Sequence, residues 1–82
     1  MPELPEVETT CRGIKKHLVG KTITDIVIRQ DKLRWPIPTK ILQKHLPQQP
    51  ILEVGRLAKY ILIRVPTGTI VIHLGMSGTY AS

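Results

Sequence analysis

Pro2 stands directly behind the initiator methionine. A small second residue permits removal of Met1, which would leave a secondary amine at the end of the chain. The pKa of an α-amino group lies below that of a lysine side chain. A usable fraction is therefore unprotonated near neutral pH and can attack an aldehyde-like carbon to form an iminium. With Met1 retained, the same nitrogen is an amide and has no such reactivity. Proline here is also a common neutral outcome of chain processing, so its neighbours must supply the meaning. Glu3 and Glu6 lie three apart beside the amine, where one carboxylate can serve as general acid or base. A helix start favours the same residues because its macrodipole stabilises negative charge.

Further along, Lys59 sits between Leu57-Ala58 and Tyr60-Ile61, and with Arg56 it places two cations near a strand start. They can grip phosphates, or they can guard a sheet edge against aggregation. His73 ends an apolar run without a nearby His, Cys or carboxylate at metal-ligand spacing, so a hydrogen-bonding role suits it better than a metal one. Met76, between Gly75 and Ser77-Gly78, is an apolar residue on a bendable loop. Such a side chain can wedge into a base stack, or it can be an ordinary surface methionine.

These side chains need elements to hold them. Pro5 suits a first helical position, and Val7, Cys11, Ile14 and Leu18 recur on one face, which predicts a helix from about Pro5 to Val19. Lys15, Lys16 and His17 complement its C-terminal end, and Gly20 can take the left-handed conformation that stops it. Cys11 is then a core residue. Thr22 to Arg29, rich in β-branched residues, reads as a strand, and Asp31 to Pro38, with two prolines and Trp35, as loop. A short second helix is expected from about Thr39 to His45, anchored by Ile41 and Leu42. Strands are expected over Ile51–Val54, Tyr60–Val65 and Thr69–Leu74, the last two forming a hairpin around Pro66-Thr67-Gly68. The unbroken runs Ile61-Leu62-Ile63 and Ile70-Val71-Ile72 suggest strands covered on both faces, which requires a second layer, either a helix or another sheet. With Gly75 to Ser82 read as the end of the chain, about four strands remain, too few to close a barrel, and the sequence looks cut short.

Eighty-two residues make at most one small domain. At 41% hydrophobic, the composition is that of a folding chain rather than a disordered one. Twelve Lys and Arg against six Asp and Glu give a net charge of +6, which favours contact with a polyanion, nucleic acid first. The lone Cys11 cannot form an internal disulfide, and no signal-like n-region and h-region open the chain, so a reducing cytoplasmic setting is expected. No apolar stretch approaches membrane-spanning length.

Taken together, Met1-Pro2-Glu3-Leu4-Pro5-Glu6-Val7-Glu8-Thr9, Leu33-Arg34-Trp35-Pro36, Ala58-Lys59-Tyr60 and His73-Leu74-Gly75-Met76-Ser77-Gly78 closely resemble the formamidopyrimidine-DNA glycosylase family in order and spacing. The resemblance runs through the whole chain but covers only the first part of the family's length. It implies an α+β, mainly β fold: a partial two-layer β-sandwich flanked by an N-terminal helix and a short second helix. It also implies base-excision repair of double-stranded DNA by a bifunctional glycosylase and abasic-site lyase. The implied substrates are oxidised purines such as 8-oxoguanine and formamidopyrimidines. On this resemblance Pro2 is the Schiff-base nucleophile, Glu3 assists ring opening and proton transfer, and Glu6 supports the same pocket. Lys59, which joins Pro2, Glu3 and Glu6 as a candidate catalytic residue, and His73 hold phosphates around the lesion; Arg56, placed beside Lys59 by the sequence, is a further candidate DNA-binding cation. Met76 fills the gap left by the everted nucleotide.

The resemblance further implies a monomer in the bacterial cytosol, carrying one structural zinc on a C-terminal four-cysteine finger, together with a helix-two-turn-helix element. Neither part is found in these 82 residues, so this chain alone is expected to lack stable duplex binding and activity. Two rival readings are a tautomerase using an N-terminal proline as general base and a non-catalytic nucleic-acid-binding module. The tautomerases enter a strand directly after the proline, whereas here Pro5 and Glu6-Val7-Glu8 open a helix.

Overall fold

Spacings of four, three and four place Val7, Cys11, Ile14 and Leu18 on one helical stripe. The computed structural model, which describes residues 3–28, 40, 43–44, 48–73 and 78–81, forms that stripe into helix α1, Leu4–Leu18. All four side chains are buried, each aliphatic one contributing about 1.5–3 kcal/mol relative to exposure. Pro5 lies in the second helical position rather than the first, where its missing N–H removes a donor that would have no partner inside the helix. Lys15, Lys16 and His17 occupy the last turn. Gly20 then takes φ +89°, a left-handed conformation that a Cβ would oppose.

The strand expected over Thr22–Arg29 is instead helix α2, Ile23–Ile28, Arg29 lying outside the described residues. The reason is a local cap that outweighs β-propensity. The Asp25 amide donates to Thr22 Oγ1 at 3.2 Å while the Thr22 amide donates back to Asp25 Oδ2 at 3.1 Å, a reciprocal capping box with Asp in the third position. Ile23 and Ile26, three apart, are both buried; a strand would send them to opposite faces, and one helical turn sends them to the same side. Of the helix expected over Thr39–His45, Lys40, Gln43 and Lys44 are helical, and the rest lies outside the described residues. The loop expected over Asp31–Pro38 lies outside them entirely.

Four strands form one antiparallel sheet in sequence order: β1 Glu53–Leu57, β2 Tyr60–Val65, β3 Gly68–His73 and β4 Gly78–Ala81. The β2–β3 hairpin is the one expected, with Val65 opposite Gly68 across Pro66-Thr67. β1 starts two residues later than expected, because Ile51 bonds elsewhere: its amide donates to Lys21 O and its carbonyl accepts from Gly20 N. β4 was not foreseen. It pairs Gly78 with Ile72 and Ala81 with Thr69, so a segment read as the chain's end covers one edge of β3.

Alternation divides the sheet into two faces. Val54, Ile61, Ile63, Val65, Ile70 and Ile72 are buried on the face where α1 packs against β1 and β2. Helix α1 is thus the second layer that the apolar runs require, and among the described residues the sheet is single. The other face is only half covered, contrary to expectation. Leu62 and Val71, opposite each other in register, are intermediate in burial, and Leu57 is 67% exposed. Tyr80 is pinned to the β2–β3 turn: its hydroxyl donates to Thr67 O at 3.1 Å, and Thr67 Oγ1 donates to Gln49 Oε1 at 3.0 Å.

Candidate active site

Register brings the candidate residues to one end of the sheet. Leu57 pairs with Tyr60 around the Ala58-Lys59 turn, so Lys59 caps that end of β1 and β2. Tyr60 pairs in turn with His73, and Ile72 with Gly78, so β3 finishes and β4 begins there too. The residues between them include Met76, which lies outside the described residues. Glu8, in the first half of α1, reaches Arg56 at the same end of β1. The helix start that carries Glu3 and Glu6 is therefore directed toward the end of the sheet that carries Lys59 and His73. Pro2, bonded to Glu3, also lies outside the described residues.

At the helix mouth Glu3 is the N-cap residue, yet its side chain makes no capping hydrogen bond. Its carbonyl does that work, accepting from the amides of Glu6 and Val7 at 3.0 Å each. Glu3 and Glu6 are both exposed. Their carboxylates have no described hydrogen-bond partner. A carboxylate not engaged in capping can pass a proton to or from a reactant.

The turn that presents Lys59 is strained. Ala58 has φ +53°, a left-handed conformation that two-residue hairpins favour and that costs a residue with a Cβ about 1–2 kcal/mol. Arg56 holds it: Nη1 donates to Ala58 O at 2.6 Å, while Nε donates to Glu8 Oε2 at 2.5 Å. That hydrogen bond, more than any other influence, lowers the Glu8 carboxyl below its ordinary range, partly opposed by desolvation, with Arg12 adding a smaller pull. Lys59 itself is half-buried.

His73 is also half-buried. Its ring meets Tyr60 edge-on, with centroids 5.2 Å apart and planes at 66°. Nδ1 is shut off from water without a hydrogen-bond partner among the described residues, which leaves Nε2 as the ring atom for an outside ligand. Neither Tyr60 nor Glu8 has a site role legible in the sequence, since these roles come from cross-strand register and from a contact 48 residues apart.

No three His, Cys, Asp or Glu converge on a metal-holding position among the described residues. The four-cysteine zinc site does not fit this chain, whose one cysteine, Cys11, is in the core, its thiol pushed up first by burial and then by the charge of Glu8. Among the described residues no helix is long and apolar enough to cross a membrane.

The chain matches the family model described as the formamidopyrimidine-DNA glycosylase N-terminal domain over residues 1–82. It is 61% identical over 79 residues to the formamidopyrimidine-DNA glycosylase of Magnetococcus marinus, covering 96% of this chain and 29% of that protein. The proteins of the same name from Cellvibrio japonicus and Escherichia coli K12 are 56% and 57% identical over the same shares. The chain thus spans about 29% of the length of the curated relatives it matches.

Proposed function

This chain belongs to the formamidopyrimidine-DNA glycosylase family through its N-terminal domain, and on that premise we propose that it carries the nucleophile and much of the lesion-facing end of a base-excision DNA glycosylase with abasic-site lyase activity. The substrates are oxidised purines, 8-oxoguanine and formamidopyrimidines, everted from duplex DNA. The observation that carries the reading is the gathering of the α1 mouth, the Lys59 turn and the end of β3 at one end of the sheet.

The chemistry follows from an amine held beside carboxylates. With Met1 removed, the Pro2 nitrogen attacks the anomeric carbon, the bond from that carbon to the base breaks, and the base leaves with the bonding pair and takes up the proton that the Pro2 nitrogen sheds. Glu3 delivers a proton to the ring oxygen as the sugar opens, leaving a cationic iminium between Pro2 and the former anomeric carbon. The iminium draws electrons from the neighbouring C2′–H bond. Loss of that proton expels the 3′ phosphate and cuts the strand, and water then releases Pro2 and the sugar fragment. Glu6 supports the acid at the helix mouth. Lys59 and His73 Nε2 hold the flanking phosphates, with Arg56 adding positive charge beside them, and Met76 fills the vacated base position.

Borohydride trapping on abasic-site duplex, read beside intact mass, tests this. The protein for the test is the chain continued by the C-terminal portion of the Magnetococcus marinus relative. A covalent adduct on Met1-free protein, abolished in a chain that retains Met1, is the expected result. Trapping that persists with Met1 retained would remove Pro2 from the reaction. A non-catalytic DNA-binding module, favoured by the net charge of +6, would instead give steeply salt-dependent binding with no adduct.

A further inference from the structure

Arg56 lies on the buried face of β1, in register opposite Ile61, with its side chain only 31% exposed. Its Nε–H is given to Glu8 and one Nη1–H to the Ala58 carbonyl. Two other ion pairs are local, Arg12–Glu8 within α1 and Arg64–Glu53 within the sheet. Arg56–Glu8 spans 48 residues and joins the helix to the hairpin. Half-exposed pairs contribute little to stability, so the effect of this one is mainly geometric. A planar guanidinium fixes two acceptors in one frame, which a lysine ammonium does not do. One of those acceptors belongs to the strained residue next to Lys59.

We propose that Arg56 is a positioning residue: anchored by Glu8, it holds the Ala58-Lys59 turn and so sets where the Lys59 ammonium stands relative to the α1 mouth carrying Glu3 and Glu6. The functional part of this inference rests on the site reading given above, while the structural part does not. Arg56 acts through Lys59, and Glu8 belongs to the same device through its hydrogen bond to Arg56.

The test uses the same extended protein, with Glu8→Gln, Arg56→Ala, Arg56→Lys and the Glu8→Gln/Arg56→Ala double variant. Three measurements are made: the amide resonance of Lys59 after selective ¹⁵N-lysine labelling, the single-turnover trapping rate on abasic-site duplex, and the salt dependence of duplex affinity. In Glu8→Gln the Lys59 resonance shifts and trapping slows about tenfold or more. The double variant is no slower than Arg56→Ala, because both changes break one device. Arg56→Lys does not restore the rate, and the salt slope stays that of the parent.

An unmoved Lys59 resonance in the isosteric Glu8→Gln overturns the proposal, and that readout holds even where Arg56→Ala does not fold or the parent does not trap. Failure of the parent to trap counts against the site reading alone. A salt slope lowered by about 0.9 in Arg56→Ala, with Glu8→Gln trapping at the parental rate, would make Arg56 a direct phosphate ligand instead.

Discussion

Tyr60 and His73 are cross-strand partners, and their rings meet edge-on with centroids 5.2 Å apart. The pair does two things at once. It sits on the half-covered face of the sheet at the end where Lys59 turns, and it restricts the orientation of a histidine whose Nδ1 is already shut away from water. An edge-to-face aromatic contact is worth about 0.5–1.5 kcal/mol beyond the area it buries. Tyr60→Leu keeps an apolar body and loses that contact. It is expected to lower unfolding free energy by about 1 kcal/mol and, on the proposed function and in the extended protein, to weaken binding of abasic-site duplex. Urea titration and fluorescence anisotropy measure the two effects; unchanged duplex affinity would show that the ring does not orient His73.

Ala58 offers a sharper test of local strain, since its φ of +53° is set by the hairpin. Glycine relieves the clash but loses more entropy on folding, and the two terms nearly cancel. Ala58→Gly is therefore expected within about 0.5 kcal/mol of the parent, and Ala58→Val, β-branched in a left-handed site, to be destabilised by at least about 1 kcal/mol. Equal midpoints for the valine variant and the parent would mean that the turn does not hold this conformation in solution.

The capping box makes α2 testable against the strand that β-propensity favours. Thr22→Ala removes the side-chain acceptor of the Asp25 amide and is expected to cost about 1 kcal/mol, with a loss of helical circular dichroism. Thr22→Ser keeps the acceptor and should recover most of it. A Thr22→Ala protein as stable as the parent would restore the strand reading of 22–29.

Glu8 sets the direction of an acid effect. Its folded pKa is depressed, first by the Arg56 hydrogen bond, so the ionised carboxylate favours folding. That contribution is complete above the unfolded pKa and is lost as pH falls through the folded value. The carboxylate is exposed to water, so the effect is small. Glu8→Gln should be less stable than the parent near neutrality and converge with it in strong acid, as followed by chemical denaturation at several pH values. A constant gap across the acid range would mean that the pair adds no linkage.

Much of this molecule is legible in the sequence. The stripe Val7-Cys11-Ile14-Leu18 dictated α1 because helical periodicity is local, and the run Tyr60–Val65, Pro66-Thr67, Gly68–His73 dictated its hairpin because turn chemistry and apolar runs are also local. The motifs Met1 to Thr9, Leu33 to Pro36, Ala58 to Tyr60 and His73 to Gly78 were together enough to indicate the family. Where local signals competed, the reading failed. Thr22–Ile28 carries strand-like composition and a helix cap together, and the cap prevailed once Ile23 and Ile26 could both enter the core.

Tertiary structure alone decided the rest, for the reason that contact between distant residues has no signature along the chain. That Gly78–Ala81 would cover β3 depended on Ile72 meeting Gly78. Which face of the sheet was buried depended on where α1 came to lie. And the joining of helix mouth to lysine turn depended on Arg56 reaching Glu8 across 48 residues. Sequence offered the candidate groups; packing and strand register brought the described ones to a common end of the sheet.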